Sequence, residues 1–240
     1  MNHKEFTAED FKSGQILLFD KPLHWTSFQL VNKVRGLIRK SCGIKKIKVG
    51  HAGTLDPLAT GLLIICTGKF TKKINELQGQ EKEYTGTFSL GATTPSYDLE
   101  TEIDQNYPVD HISEEDLKIA IEKFTGEIEQ IPPVFSALKK DGKRLYEYAR
   151  KGEEVKIQPR KVNIPEFEVD SDKFPLIDFR VVCSKGTYIR SLAHEFGQEL
   201  NSGAHLSALK RTRIGEFSVQ NSLDLESFQK LLPSRENNSE

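Results

Sequence analysis

The sequence predicts an α+β fold, a mixed and mostly antiparallel sheet flanked by helices, in a single domain with an insertion. Three observations carry that expectation. Strand-period and helix-period apolar patterns intermix along the chain without the regular βα order that a doubly wound parallel sheet requires. No internal repeat and no Pro/Gly/Ser-rich linker divides the 240 residues, a length that buries a core without difficulty. One segment, residues 98–130, departs in composition: eleven carboxylates, from Asp98 to Glu129, face only Lys118 and Lys123, which makes it the place for an insertion.

In chain order, Gln15 to Asp20 reads as a short buried strand ended by Lys21 and Pro22. Thr26 or Ser27 then caps an amphipathic helix whose apolar face carries Phe28, Val31, Val34, Leu37 and Ile38, with Lys33, Arg39 and Lys40 on the other face. Residues 41–61 contain Gly43, Gly50, Gly53, Pro57 and Gly61 and read as an irregular loop, too long for an inert connection. Leu62 to Cys66 is a second buried strand and Phe70 to Leu77 a helix. Tyr84, Gly86, Phe88 and Leu90 alternate with Thr85, Thr87 and Ser89 in a strand with two distinct faces. Ser113 and Asp116 form a capping box for a helix to about Phe124, stopped at Gly126. Asp141 and Gly142 mark a tight hairpin turn, Val155 to Val169 and Leu176 to Cys183 alternate as strands, and Arg190 to Leu200 has helical period. The last strands lie near Leu206 to Val219, before a short helix and the polar tail SRENNSE.

Composition excludes several classes of function. The longest apolar runs, Ile16 to Phe19 and Leu62 to Cys66, fall far short of the roughly 18 residues of a membrane span. The opening MNHKEFTAEDFK lacks the apolar core of a signal peptide, and Cys42, Cys66 and Cys183 supply neither a disulfide framework nor a CxxC zinc site. A reducing, cytoplasmic location is therefore expected. The six histidines are scattered, and His194 with Glu195 lacks the second histidine of a zinc-protease helix, so no metal is expected. A Walker loop fails on spacing, since six residues separate Gly61 from Gly68 and Lys69 where four are required. No GxSxG elbow is present, and Cys183 has no evident histidine partner.

The formal charge of −1 hides a polarity. Lys21, Lys33, Arg35, Arg39, Lys40, Lys45, Lys46 and Lys48 precede Leu55 with no acid among them. Further basic groups stand at Lys69, Lys72 and Lys73, between Lys139 and Lys151, and at Lys210, Arg211 and Arg213. Gathered on one face they would bind a polyanion; apart, they are solvated faces. Asp56 is the first carboxylate to break the basic segment. Pro57 after it disfavours helical backbone, and the flanking glycines permit close approach of a ligand. A carboxylate on such a stalk, kept ionised by positive surroundings, can act as nucleophile or base, or simply make a turn hydrogen bond.

The run GHAGTLDPLATGLL, Gly50 to Leu63, resembles the signature loop of the TruB family of tRNA pseudouridine synthases, which isomerise uridine 55 in the T-loop of tRNA. FDKP at Phe19 to Pro22 with Thr26 and Ser27, KEY at Lys82 to Tyr84, IPPVFSALKKDGKRLYEYARKG from Ile131, CSKGTYIRSLAHEFG from Cys183 and GAHLSALKRTRIG from Gly203 resemble further family blocks in family order. The resemblance runs to about residue 220 and implies the pseudouridine synthase fold. It implies that Asp56 is the essential aspartate, that His51 enters the T-loop in place of flipped nucleotides, and that Tyr84 stacks on the target base. Tyr188 and Arg190 match the GTYIR block, in which the arginine pairs with the catalytic carboxylate; Leu209 matches an apolar wall of the uracil pocket. Lys21 and Pro22 match a structural pair nearby, and Asp98 matches an aspartate that orients Arg190.

The implied reaction breaks the N1 link of uracil to ribose, turns the base and forms a C5 link, so no cofactor is needed. The target must leave the stack first, and stacking on an aromatic ring such as Tyr84 is worth about 1 to 3 kcal/mol. Asp56 could attack C1′, add to C6 or remove a ribose proton; the residues leave these open. Tyr188 and Arg190, two apart, both face the pocket only if the chain is extended there, so the helix is expected to start at or after Arg190. His24 stands where family members commonly have Gly, which predicts a reshaped turn after Pro22 with His24 and Trp25 closing over the loop. The expected organisation is an N-terminal tail at 1–13, a catalytic domain at 14–220 with the acidic segment 98–130 as a solvated flank and a basic insert at 131–160, and a helix and tail at 221–240 with no C-terminal PUA domain. The expected partner is the T-arm of tRNA, bound by a monomer whose grip weakens steeply with salt. Two rival readings are a catalytically silent tRNA-binding and folding protein, favoured only if Asp56 were lost or its loop broken, and a phosphotransfer enzyme, which the failed Walker spacing opposes.

Overall fold

The structure, a computed structural model, describes residues 5–233 apart from 137, 138, 141, 150–152, 154 and 156. The chain opens with α1 (Ala8–Ser13), β1 (Ile16–Lys21), α2 (Ser27–Ser41), β2 (Val49–His51), β3 (Ala59–Thr67) and, after a 3-10 turn at Gly68–Lys73, α3 (Ile74–Gly79). Next come β4 (Lys82–Leu90), β5 (Ala92–Thr93), β6 (Gln105–Asn106), α4 (Glu114–Phe124), β7 (Gly126–Gln130), β8 (Lys139–Lys140), β9 (Lys143–Arg144) and α5 (Leu145–Ala149). Then follow β10 (Arg160–Ile164), β11 (Glu166–Lys173), β12 (Leu176–Cys183), α6 (Ile189–Glu199), β13 (Ala204–Ile214), β14 (Phe217–Ser218) and α7 (Leu225–Lys230). Two compact units result, Met1–Lys82 with Lys210–Glu240, and Glu83–Leu209.

In the first unit β3 is the central strand. It pairs antiparallel with β1, Ile16 opposite Cys66 and Lys21 opposite Gly61, and with β2, Val49 opposite Thr67. Its apolar run is continuous because both faces are covered. Leu63 and Ile65 pack with Leu17, Phe19, Phe228 and the α2 residues Leu30, Val31, Val34 and Ile38; Leu62, Ile64 and Cys66 pack with Ala52, Leu77 and Ile214. Each Leu, Ile, Val or Phe among them contributes about 1.5 to 3 kcal/mol by leaving water. Thr26 caps α2, with Gln29 reciprocating. Phe28 does not join the buried face and is 63% exposed, because it lies roughly 200° around the helix from Leu30.

In the second unit the strand order is β13, β4, β12, β11, with β11 and β12 antiparallel and Glu166 opposite Val182. Phe88 and Phe167 meet Phe196 of α6, Phe179 stacks on Phe88, and Phe124 of α4 packs on Phe196 at 6.2 Å. Beside it, β7 and β10 pair antiparallel, Gln130 opposite Arg160. α4 has the predicted Ser113–Asp116 box and buries Leu117, Ala120 and Phe124.

Several expectations change. The loop at 41–61 contains strand β2, and β3 extends from Ala59 to Thr67. Phe70 to Leu77 is a 3-10 turn followed by α3. Val155 to Val169 is not one strand: Pro165 lacks an amide donor, so β10 ends before it and pairs with β7 while β11 pairs with β12. Helix α6 starts at Ile189, one residue before the expected limit, with Tyr188 extended as its N-cap at φ −100° and ψ 112°. The carboxylates of 98–130 are solvated apart from Asp98, which is buried. β8 and β9 form the predicted hairpin around Gly142, whose φ is 82°; Asp141, the whole of the tail SRENNSE and part of the basic insert lie outside the described residues.

Candidate active site

The first unit fixes the loop around Asp56 almost wholly through its backbone. The Ser27 hydroxyl, on the first residue of α2, accepts from the Leu55 amide at 2.8 Å and donates to the Leu55 carbonyl at 3.1 Å. The Ala52 amide donates to Ile64 and the Ala59 amide to Asp56, closing the loop at both ends. Lys21, at the end of β1 on the same face as Leu17 and Phe19, is fully buried. Its ammonium donates to the carbonyls of Pro22 at 2.9 Å, Trp25 at 2.6 Å and Pro57 at 3.4 Å. Burial lowers its pKa to about 8 against the opposing attraction of Asp56. The turn after β1 is thus tied to the residue following the carboxylate. His24 completes the tie, its amide donating to the Pro57 carbonyl at 2.8 Å. Its φ of 65° is a glycine-type conformation, and its side chain is exposed, so the turn keeps a glycine shape although glycine is absent.

Arg211 of β13, in the sequence only one of several basic residues, has a positioning role that sequence reasoning missed. It is 1% exposed, and its guanidinium donates to the carbonyls of Leu62 at 2.8 Å, Gly53 at 3.1 Å and Thr54 at 3.5 Å. Its charge therefore lies under the loop, where it helps depress Lys21 and His51. Gly61 permits this approach: its φ is 100°, and a Cβ there would meet the Arg211 carbonyl at 2.3 Å. Asp20 accepts from the Gly61 amide at 3.0 Å and lies 3.5 Å from the Lys210 ammonium. His51, the last residue of β2, is partly buried with its pKa below the ordinary histidine value, chiefly by desolvation, so its ring is mainly neutral at pH 7. Among the described residues, His51 Nδ1 is buried without a hydrogen-bond partner.

The second unit holds Tyr84, Asp98, Tyr188, Arg190 and Leu209. Arg190, the second residue of α6, is buried; it donates to the carbonyls of Ser96 at 3.1 Å and Phe135 at 2.8 Å, and its Nε lies 3.6 Å from Asp98. Tyr188 is held by the buried amide of Gln130, which accepts from its backbone N–H at 2.7 Å and donates to its carbonyl at 3.1 Å. That clamp keeps the chain extended up to the helix. The Arg160 guanidinium lies 4.6 Å over the Tyr188 ring. Tyr97, at a positive φ of 64°, stacks on His194 at 3.9 Å, so the turn carrying Ser96 and Asp98 rests on α6. Tyr84 is buried in β4, and Leu209 is partly buried in β13. Ser96, Tyr97, Gln130 and His194 carried no local signal, because each acts through a contact distant in sequence.

Among the described residues, no cluster of three or more His, Cys, Asp or Glu could hold a metal ion, and no helix is long and apolar enough to cross a membrane. Chemically, the first unit offers one carboxylate on a backbone-locked loop over a buried guanidinium and ammonium.

Solved structures share this fold. The crystal structure of a Cbf5–Nop10–Gar1 complex matches with a TM-score of 0.65 at 27% identity, over 92% of this chain and 60% of that one. The structure of an H/ACA RNP bound to a substrate RNA containing 2′-deoxyuridine matches at 0.64 and 26%, over 96% and 58%. The chain thus spans about 60% of the length of these structural relatives. This is the pseudouridine synthase fold. The model of the TruB family pseudouridylate synthase N-terminal domain matches residues 39–189, and that of the tRNA pseudouridylate synthase B C-terminal domain matches 190–240. The proteins named tRNA pseudouridine synthase B of Flavobacterium johnsoniae and Phocaeicola vulgatus are 62% and 58% identical, covering 94% and 95% of this chain and 99% and 97% of their own lengths. The chain belongs to the TruB family of pseudouridylate synthases.

Proposed function

We propose that this protein converts uridine 55 in the T-loop of tRNA to pseudouridine, acting in the cytoplasm as a monomer and without a cofactor. The observation that carries the reading is the mounting of Asp56, whose loop has its Gly53, Thr54, Leu55 and Pro57 carbonyls each hydrogen-bonded to Arg211, Ser27, Lys21 or His24. A carboxylate so held meets the reacting ribose and base without reorganising, which is what electrostatic and positional catalysis require. The flipped base is taken by Tyr84 as stacking face, with Leu209 and Tyr188 as pocket walls, and Arg190, oriented by Asp98, is the cation of that pocket. His51 enters the space left in the T-loop, as a mainly neutral ring that can stack or hydrogen-bond. The C1′–N1 bond breaks, the base turns, C5 bonds to C1′, and the proton leaving C5 is balanced by one gained at N1.

The test is tritium release from C5-labelled uridine in a tRNA T-arm transcript, in metal-free buffer, with protein far below substrate. Wild type should turn over many times and Asp56→Asn should release nothing above background. Tight binding with no release by either protein would instead support a catalytically silent RNA-folding role.

A further inference from the structure

We infer that a basic cleft at the C-terminal end of α2, formed by Gly36, Arg39, Lys40, Gly43, Ile44 and Lys45, binds backbone phosphates of the RNA outside the reacting nucleotide. This rests on the reading of the protein as an RNA-modifying enzyme and adds a contact surface to it.

The cleft is built by the way α2 ends. The Cys42 amide closes on Ile38, Gly43 turns at φ 64°, and the Ile44 amide bonds back to the Arg39 carbonyl at 3.2 Å. The chain therefore folds over the last helical turn and brings Lys45 beside Arg39 and Lys40, around a shallow cleft of about 410 Å³. Gly36 and Gly43 lie open, with nothing within 4 Å of where a Cβ would stand, so a bulky group can rest on bare backbone. Ile44 and Cys42 anchor the turn on the core of the first unit.

Charge decides the occupant. Arg39, Lys40, Lys45, Lys46 and Lys48 are all exposed, and among the described residues none forms an ion pair. Two cations in the last turn of a helix would suffice to complement its dipole; Lys45, Lys46 and Lys48 lie beyond that turn. Exposed, mutually repelling cations with no counter-charge suit a polyanion that releases counterions on binding. Lys48 directly precedes β2, whose last residue is His51, about 10 Å along an extended strand. On the proposed reading, a phosphate bound at the cleft belongs to the same RNA, displaced from the reacting nucleotide.

The experiment compares wild type, the triple variant Arg39→Gln, Lys40→Gln, Lys45→Gln, and a control pair, Lys118→Gln with Lys230→Gln, in tRNA binding from 0.1 to 0.4 M salt and in turnover. The cleft variant should bind roughly tenfold or more weakly at 0.15 M, with a log–log salt slope lower by about 2 to 3, and with kcat at saturating tRNA unchanged. The control should match wild type. A cleft variant with wild-type affinity and slope overturns the inference, and does so in favour of a membrane surface if the same variant also loses the wild-type protein's attachment to phosphatidylserine vesicles. Absence of turnover in wild type would refute the enzymatic reading alone, because affinity and slope are read without catalysis.

Discussion

Glu195 is a carboxyl whose surroundings favour its neutral form. On α6, four residues past Ser191, it is raised by burial to about 7, partly opposed by the Ile131 amide that donates to its Oε1 at 3.2 Å. Its ordinary value in the unfolded chain is 4.5, so between pH 4.5 and 7 the folded state binds more protons than the unfolded one. Its contribution to stability is therefore complete below about pH 4.5 and is lost as pH rises through 7. Glu195→Gln keeps the Oε1 acceptor and removes the ionisation. The variant should melt higher than wild type at pH 8, by about 2 to 4 °C for each kcal/mol recovered, and the two should converge at pH 4.5. Thermal melts across that range check it, and an offset independent of pH would show that burial of the charge is not the cause.

At the scale of elements, α2 is also the anchor of the loop bearing Asp56. Ser27→Ala would leave the amide and carbonyl of Leu55 without their buried partner, at about 1 to 3 kcal/mol. Turnover should fall about tenfold or more while tRNA affinity stays near wild type, because the loss is in the position of the carboxylate. A lower melting temperature with unchanged kcat would mean the loop is held well enough without that hydroxyl. The same contrast explains what was legible in the sequence. β3, α2 and α4 are written in local patterns: an apolar run covered on both faces, a helical stripe, a capping box. Asp56 and the blocks around it were legible as motifs. The clamps were not. Arg211 bonds Leu62 across 149 positions and Gln130 bonds Tyr188 across 58, so in the sequence Arg211 is one more basic residue and Gln130 an unremarked amide. Phe28 failed for a related reason, since an apolar residue near a helical stripe is buried only if the stripe's phase, set by packing on β3, includes it.

For the whole molecule, the question is which charge an approaching RNA meets. The first unit carries nineteen Lys and Arg against twelve Asp and Glu, a formal +7; the second carries fifteen against twenty-three, −8, and together these give the net −1. A protein read by its net charge would repel RNA weakly at every salt concentration. Screening decides otherwise, because at 0.15 M salt the Debye length is about 8 Å and a phosphate on the first unit feels only the cations beside it. If about six phosphates are neutralised, affinity should fall on the order of 10³-fold between 50 and 200 mM salt. At about 10 mM the screening length is near 30 Å, and the charge of the whole chain, net −1, begins to count in place of the local cations. The log–log plot should therefore be steep and straight above about 0.1 M and bend to a shallower slope below about 30 mM. Filter binding of tRNA to Asp56→Asn, which cannot consume its substrate on this reading, measures the curve directly. A straight line down to 10 mM would mean that charge beyond the local cations exerts no field at the RNA, and a flat line throughout would remove phosphate contacts as the source of affinity.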